Sequence, residues 1–344
     1  MVVFGAGASY DSFADAPPGV QLIGEPPVQV MVNGRPPLAS QLFSLRFAND
    51  IALFPLCKPV VPYLRAPGVN IEGELERLQT ESQNYSAGTK QLAAIRYYLQ
   101  YMLTGCQSIW EELTKGVNNY KTLLDIIARR RAEDPKVCLV TFNYDTLVEE
   151  ALPTVGITIS RIADYVAYDY KLIKLHGSIN WALDVQNKVE NLDHRTEWDV
   201  VNELTNRARE LIPGRSFTIT RQRPIAFSKG SPRIPLIPAL AIPVVSKPEY
   251  MCPVEHSETM KESLPQVTKL LIIGWKGAEK LFLQELSKGI PKGTPTLVVS
   301  GSPDSANQIA NTISGAGVPG RFMSAGGGFS HVIRSREVDA FLNA

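Results

Sequence analysis

The chain has no apolar run approaching the roughly 20 residues needed to cross a bilayer, and no basic segment followed by a hydrophobic core at its start. Neither a membrane span nor a secretory leader is expected, and a cytoplasmic protein is. Charge of one sign is also missing. Lys and Arg number 35 against 34 Asp and Glu, a net charge of +1, so no whole-molecule field draws nucleic acid or an anionic membrane, and direct nucleic-acid binding is not expected. Cysteine is scarce. Cys57, Cys106, Cys138 and Cys252 are far apart, with no pair at the spacing of structural zinc sites, so neither a zinc ribbon nor a disulfide framework is implied. Cys138 falls inside an apparent buried strand and Cys106 on the apolar side of a helix, where each reads as a small hydrophobe. Internal repeats are absent. What remains is 344 residues with 44% hydrophobic content, enough for one large core or two smaller ones and too apolar for a disordered chain.

The most informative segment is the first. Val2-Val3-Phe4-Gly5-Ala6-Gly7-Ala8-Ser9 is a short apolar strand stopped by a glycine pair, the form of a turn that lets backbone N–H groups approach a phosphate at a helix N-terminus. A plain tight turn has the same look. Two further segments decide between them: Val137 to Asp145 is a buried-strand pattern ending in polar residues, and Leu172 to Ser178 is a second. Ligands of an open parallel sheet bind beyond the carboxyl ends of its strands, so Asn143, Asp145 and His176 are expected to project toward the glycine turn. Taken singly, Asn143 or Asp145 could cap a helix starting near Tyr144, and His176 could be a buried structural histidine.

Residues 11 to 70 are rich in proline and glycine and read as loop followed by a short helix. From Glu72 to about Arg131 the pattern is helical. Leu92, Ile95, Leu99, Met102, Leu103, Cys106, Ile109 and Trp110 recur at spacings of three and four, and Tyr120, Leu123, Leu124 and Ile127 continue the pattern in another helix. These stripes read as core. The stretch 184–235 breaks the strand rhythm and carries Arg207, Arg209, Arg215, Arg221, Arg223, Lys229 and Arg233 against Glu210, a basic insertion whose default place is a solvated surface. Ala239 to Val245 is strand-like but interrupted by proline, a poor central strand. Leu270 to Trp275 and Thr296 to Ser302 are cleaner strands, each ending in small residues and followed by a helix-like stretch. The expected fold is α/β: a Rossmann-like, doubly wound, mostly parallel sheet, one domain over 1–344, with a helical module at about 50–132 and the basic insertion at about 184–235.

Gly5-Ala6-Gly7-Ala8-Ser9, Thr141-Phe142-Asn143-Tyr144-Asp145, Leu175-His176-Gly177-Ser178 and Ile272-Ile273-Gly274-Trp275 together resemble the ordered motifs of the sirtuin superfamily over nearly the whole chain. Phe142 stands where that family usually has glutamine. The resemblance is greatest to the bacterial sirtuin-like domains of antiphage defence, which degrade NAD; their phenylalanine-asparagine-tyrosine-aspartate and histidine-glycine-serine-x-asparagine-tryptophan runs are matched by Phe142 to Asp145 and His176 to Trp181. The four-cysteine zinc module of the protein deacylases and a recognisable acyl-lysine cleft are both missing.

The resemblance implies an NAD glycohydrolase with NAD as substrate and no zinc. It assigns Asn143 to the ribose or attacking water, Asp145 to the nicotinamide-side geometry, and His176 to general-base or ribose-hydroxyl chemistry. It places Gly5, Ala6, Gly7 and Ser9 around the pyrophosphate, Thr141 and Phe142 in the cofactor site, and Gly274 and Ser300 near the adenosine half. Asp11 and Arg35 fall in the loop after the phosphate turn, where sirtuins close over nicotinamide, and either could equally be a solvated charge. His194, His256 and His331 are read as structural or exposed. Two alternatives stay open: a deacylase or ADP-ribosyl transferase using the same site, and a non-catalytic subunit that binds NAD or ADP-ribose. Relatives of this size imply a homo-oligomer or a complex with a ring-forming DNA-translocase ATPase.

Overall fold

In the computed structural model, which describes residues 1–13, 34–130, 136–187, 189–244 and 249–344, six strands form one parallel sheet. They are β1 (Val2–Phe4), β2 (Val137–Thr141), β3 (Tyr170–Lys174), β7 (Leu270–Ile273), β8 (Thr294–Val299) and β9 (Gly320–Ala325), in the order β3-β2-β1-β7-β8-β9. Every pairing is parallel. The order reverses between β1 and β7, the switch point at which doubly wound sheets open a crevice. The fold is thus Rossmann-like.

Alternation along the strands feeds two cores. Val2, Phe4, Leu139, Leu271 and Ile273 face one, while Val3, Cys138, Val140, Leu270 and Ile272 face the other. The first is covered by α3 (Ser86–Thr114) and α4 (Asn119–Arg129), which follow α1 (Ala6–Tyr10) and α2 (Ile71–Ser82), and by the C-terminal α10 (Gly328–Arg334) and α11 (Glu337–Asn343). The second is covered by α7 (Val254–Ser263), α8 (Lys280–Gly289) and α9 (Pro303–Gly315). Between β1 and β2 the described residues are helical or loop, as the periodicity predicts. Ile95, Leu99, Met102, Leu103, Cys106 and Trp110 are buried. Leu92 is part-buried, and Ile109 is 42% exposed. No helix among the described residues is long and apolar enough to cross a membrane.

A second, antiparallel sheet has the order β5-β4-β6, from β4 (Gly177–Val185), β5 (Pro213–Ile219) and β6 (Leu236–Leu240). Several sequence expectations change here. The strand read over Leu172 to Ser178 is two strands, β3 ending at Lys174 and β4 starting at Gly177, with His176 at the break. The strand-like run from Ala239 to Val245 is strand only at its start: the edge strand β6 ends at Leu240, Ala241 to Val244 lie outside it around Pro243, and Val245 lies outside the described residues. The basic insertion supplies α6 (Glu197–Asn206) and β5. Some of its cations are internal: Arg207 bonds Glu203 at 2.7 Å, and Arg233 lies 4.4 Å over the Phe227 ring. The helix expected from near Tyr144 starts at Leu147, as α5 (Leu147–Ala151).

Candidate functional site

Strand register assembles the site. Lys174, Thr141, Phe4, Ile273, Val299 and Ala325 form one row across the sheet, each the last residue of its strand. Residues that follow these ends therefore share one edge. Around that edge is a cavity of about 690 Å³ lined by Gly5, Ala6, Gly7, Ser9, Asp11, Phe142, Asn143, Asp145, His176, Gly274 and Ser300. The volume lies in the range of small-molecule and cofactor pockets.

The glycine turn closes against the end of β7 at backbone contact distance. Gly274 has φ +63°, and a Cβ there would lie 2.2 Å from the Ala8 nitrogen, so the approach requires glycine. The Gly5 N–H donates to the Ile273 carbonyl at 3.0 Å and the Gly7 N–H to the Gly274 carbonyl at 3.1 Å. Those two amides hold the turn to the sheet instead of facing a phosphate. Ala6, at the first position of α1, and Ser9 are the members of the motif left to meet a ligand.

Asn143 is 6% exposed, and its Nδ2 donates to the Gly5 carbonyl at 3.0 Å and to Ser9 Oγ at 2.8 Å. Its own N–H donates to Thr141 Oγ1 at 3.0 Å. Thr141 thus stands behind the cavity wall and supports it. Asp145 lines the cavity and also leads into α5, whose N-cap is Thr146: the Asp145 Oδ1 accepts from the Leu147 N–H at 3.2 Å, a turn bond two residues on, so a local turn role and the site role coexist. Beneath it lies a buried ion pair. Lys174 Nζ, 0% exposed, meets Glu149 Oε1 at 2.9 Å and also donates to the Asp145 backbone carbonyl.

His176 is held by its backbone. Its carbonyl accepts from the Ala241 N–H at 2.9 Å, and the next residue, Gly177, has φ +80° with Ala239 O only 1.9 Å from where a Cβ would sit. Its ring packs edge-on to Phe142 at 5.0 Å, and Phe142 stacks on Trp275 at 5.3 Å with 10° between the planes. Phe142 is therefore part of an apolar wall.

Asp11 lines the cavity but is anchored at the start of α10, where its carboxylate accepts from the Ser330 N–H at 2.9 Å and from Ser330 Oγ at 2.7 Å. Arg35 does not line it; the guanidinium lies 5.0 Å from the Tyr10 ring centroid and 5.6 Å from that of Trp110. Ser300 Oγ pairs with Ser305 Oγ at 2.8 Å at the N-terminal end of α9. Glu72 and Glu279 also line the cavity, and both raise the pKa of Tyr144, after burial, which is the larger cause. Sequence patterns give no hint of them. Glu72 looks like any acid in a first helical turn, and Glu279 precedes a helix in the same way. Cys106 reaches the cavity too, but burial pushes its thiol up to about 11, which leaves it protonated and unreactive. Among the described residues no group of three or more His, Cys, Asp or Glu is placed to hold a metal ion.

No protein-family model matches the sequence, and no curated protein does. Among chains of known structure, 19 match. One, described as the structure of Sir2Tm bound to a propionylated peptide, is 12% identical, with 99% of this chain and 92% of that chain covered, at a TM-score of 0.40. That score is too low to carry a functional argument.

Proposed function

We propose that the protein is an NAD+ glycohydrolase, which breaks the bond between nicotinamide and ribose to give nicotinamide and ADP-ribose. The observation that carries this reading is the convergence of Ser9, Asn143, Asp145 and His176 on one cavity at the switch point of a doubly wound sheet. The motif resemblance supports the choice of dinucleotide.

The reaction develops positive charge on the ribose as neutral nicotinamide leaves, and water then attacks the anomeric carbon and releases a proton. Carboxylates near that carbon stabilise the charge. Asp11, Glu72, Asp145 and Glu279 line the cavity, with Lys276 the charged residue of opposite sign. Glu72 and Glu279 both act on Tyr144, whose ring lies 6.2 Å from that of His176, and their charge would favour the cationic pyridinium there. With Nδ2 committed to Gly5 and Ser9, Asn143 keeps Oδ1 as the acceptor for a ribose hydroxyl or the incoming water. His176, an imidazole in an aromatic wall, takes the proton or holds the second ribose hydroxyl. In the cell such an activity would deplete NAD as an antiphage effector, switched on within a homo-oligomer or by an ATPase partner.

The test is product analysis by chromatography, run on the protein in its activated assembly, with and without an acetyl-lysine peptide. Nicotinamide and ADP-ribose are expected without peptide, and Asn143→Ala and His176→Ala are each expected to lower the rate at least 100-fold while leaving the fold intact. Product formed only with peptide, as O-acetyl-ADP-ribose, would make the protein a deacylase. Unchanged turnover in either variant would remove that residue from the chemistry.

A further inference from the structure

The hydrogen-bond directions at the glycine turn can be worked out from donors and acceptors alone. The Gly5 carbonyl only accepts, so the atom of Asn143 that meets it at 3.0 Å must be the amide nitrogen. Tyr120, at the start of α4, is 1% exposed, and its hydroxyl meets Ser9 Oγ at 2.8 Å and Asn143 Nδ2 at 3.4 Å. An amide nitrogen only donates. Among the described residues the Tyr120 proton therefore has one place to go, Ser9 Oγ, which also accepts from Asn143 at 2.8 Å. With both lone pairs of Ser9 Oγ engaged, its own proton is turned toward the cavity that Ser9 lines. Asn143 lines the same cavity, and with its nitrogen committed to Gly5 and Ser9 its Oδ1 is the atom left to accept.

We propose that Tyr120 is a positioning residue that, acting through Ser9, fixes this wall as one donor, Ser9 Oγ–H, beside one acceptor, Asn143 Oδ1. The pair selects a sugar phosphate: an anionic phosphoryl oxygen next to a free sugar hydroxyl. The assignment rests on the dinucleotide reading and deepens it, because it gives the helical module a direct part in ligand recognition. Burial, and after it the Asp145 charge, pushes the Tyr120 pKa well above that of an ordinary tyrosine, so the phenol is a permanent donor. Its place is set firmly. The Asn119 N–H donates to the Ser12 carbonyl at 2.6 Å, Asn119 Nδ2 donates to the Asp11 carbonyl at 2.8 Å, and the Tyr120 ring packs edge-on to Phe4 at 5.0 Å and Phe329 at 5.4 Å.

The experiment has two arms, on wild type, Tyr120→Phe, Ser9→Ala and the double variant. Calorimetric titration with ADP-ribose is expected to show about tenfold weaker binding for each single variant, and the double variant within about twofold of Ser9→Ala, since Tyr120 acts through Ser9. Losses that multiply in the double variant would overturn the proposal. The second arm needs no ligand: the side-chain amide protons of Asn143, followed by nitrogen-15 NMR, are expected to exchange slowly in wild type and at least tenfold faster in Tyr120→Phe. Equal protection in the two proteins would overturn the proposal as well. Wild type that fails to bind ADP-ribose would instead overturn the dinucleotide reading and the ligand assignment with it, and the amide exchange would still decide whether Tyr120 orders the wall.

Discussion

At the level of single residues, the site is held in place by buried polar groups that sequence patterns identify only in part. Asn143, Asp145 and His176 were legible because each follows an apolar strand, and the sheet register brings them to one edge. Lys174 was not, since a lysine at the end of a strand ordinarily reaches water. Here it is 0% exposed, paired with Glu149 at 2.9 Å and bonded to the Asp145 carbonyl. Glu149 in turn accepts from the Tyr165 hydroxyl at 3.0 Å, which accepts from Trp181 Nε1 at 3.1 Å. Removing the cation strands a buried carboxylate, which typically costs about 3–5 kcal/mol. Lys174→Met is accordingly expected to destabilise by that amount in urea denaturation, and Lys174→Met with Glu149→Gln by clearly less. A single variant within about 1 kcal/mol of wild type would show that the pair behaves as a surface ion pair does.

Elements pack as the periodicity foretold, but the contacts between them include a polar junction that hydrophobic patterns cannot register. Gln107 of α3 binds the loop and helix after β2. Its Oε1 accepts from the Thr146 N–H at 2.7 Å, and its Nε2 donates to Glu150 at 2.7 Å and also to Glu111 and Thr146 Oγ1. Two carboxylates thus meet one amide. Burial, then the hydrogen bond and charge of Glu111, raise the Glu150 pKa above its ordinary 4.5. An acid whose folded pKa is raised gives stability that is complete below about 4.5 and is lost as pH rises through the folded value. Glu150→Gln imitates the protonated form. It is expected to stabilise the protein by about 1 kcal/mol at pH 8, a figure reduced for partial solvent screening, and to change little at pH 4. Thermal melts at the two pH values check this, and equal effects at both would mean that the junction holds no shared proton.

For the molecule as a whole, the parallel sheet and its helical cover were readable from apolar runs and periodicity, whereas the small antiparallel sheet was not. Its edge strands are half exposed, as in β5, or short and interrupted by proline, as in β6, and the long buried β4 follows directly on the break at His176, so neither alternation nor continuous hydrophobicity marks the sheet. Where this sheet meets the larger one, Trp181 of β4 packs edge-on against Tyr165 at 5.1 Å, and His256 of α7 lies 5.4 Å from each ring. His256 is 1% exposed, and burial lowers its pKa from 6.5 to about 4. In the unfolded chain the same imidazole takes up a proton near its ordinary value. Between those two values the unfolded state binds more protons, so stability is complete above about 6.5 and is lost as pH falls toward about 4. The loss amounts to about 3 kcal/mol at most. His256→Phe keeps a ring between Tyr165 and Trp181 and removes the titration. Urea denaturation from pH 7 to 4 is expected to show the variant losing less stability than wild type by that amount, with the Trp181 environment exposed first on acidification. Parallel curves for the two proteins would place the acid sensitivity elsewhere, in carboxylates such as Asp164, whose backbone hydrogen bonds from Ser160 and Arg161 lower its pKa and whose stabilising effect is also lost in acid.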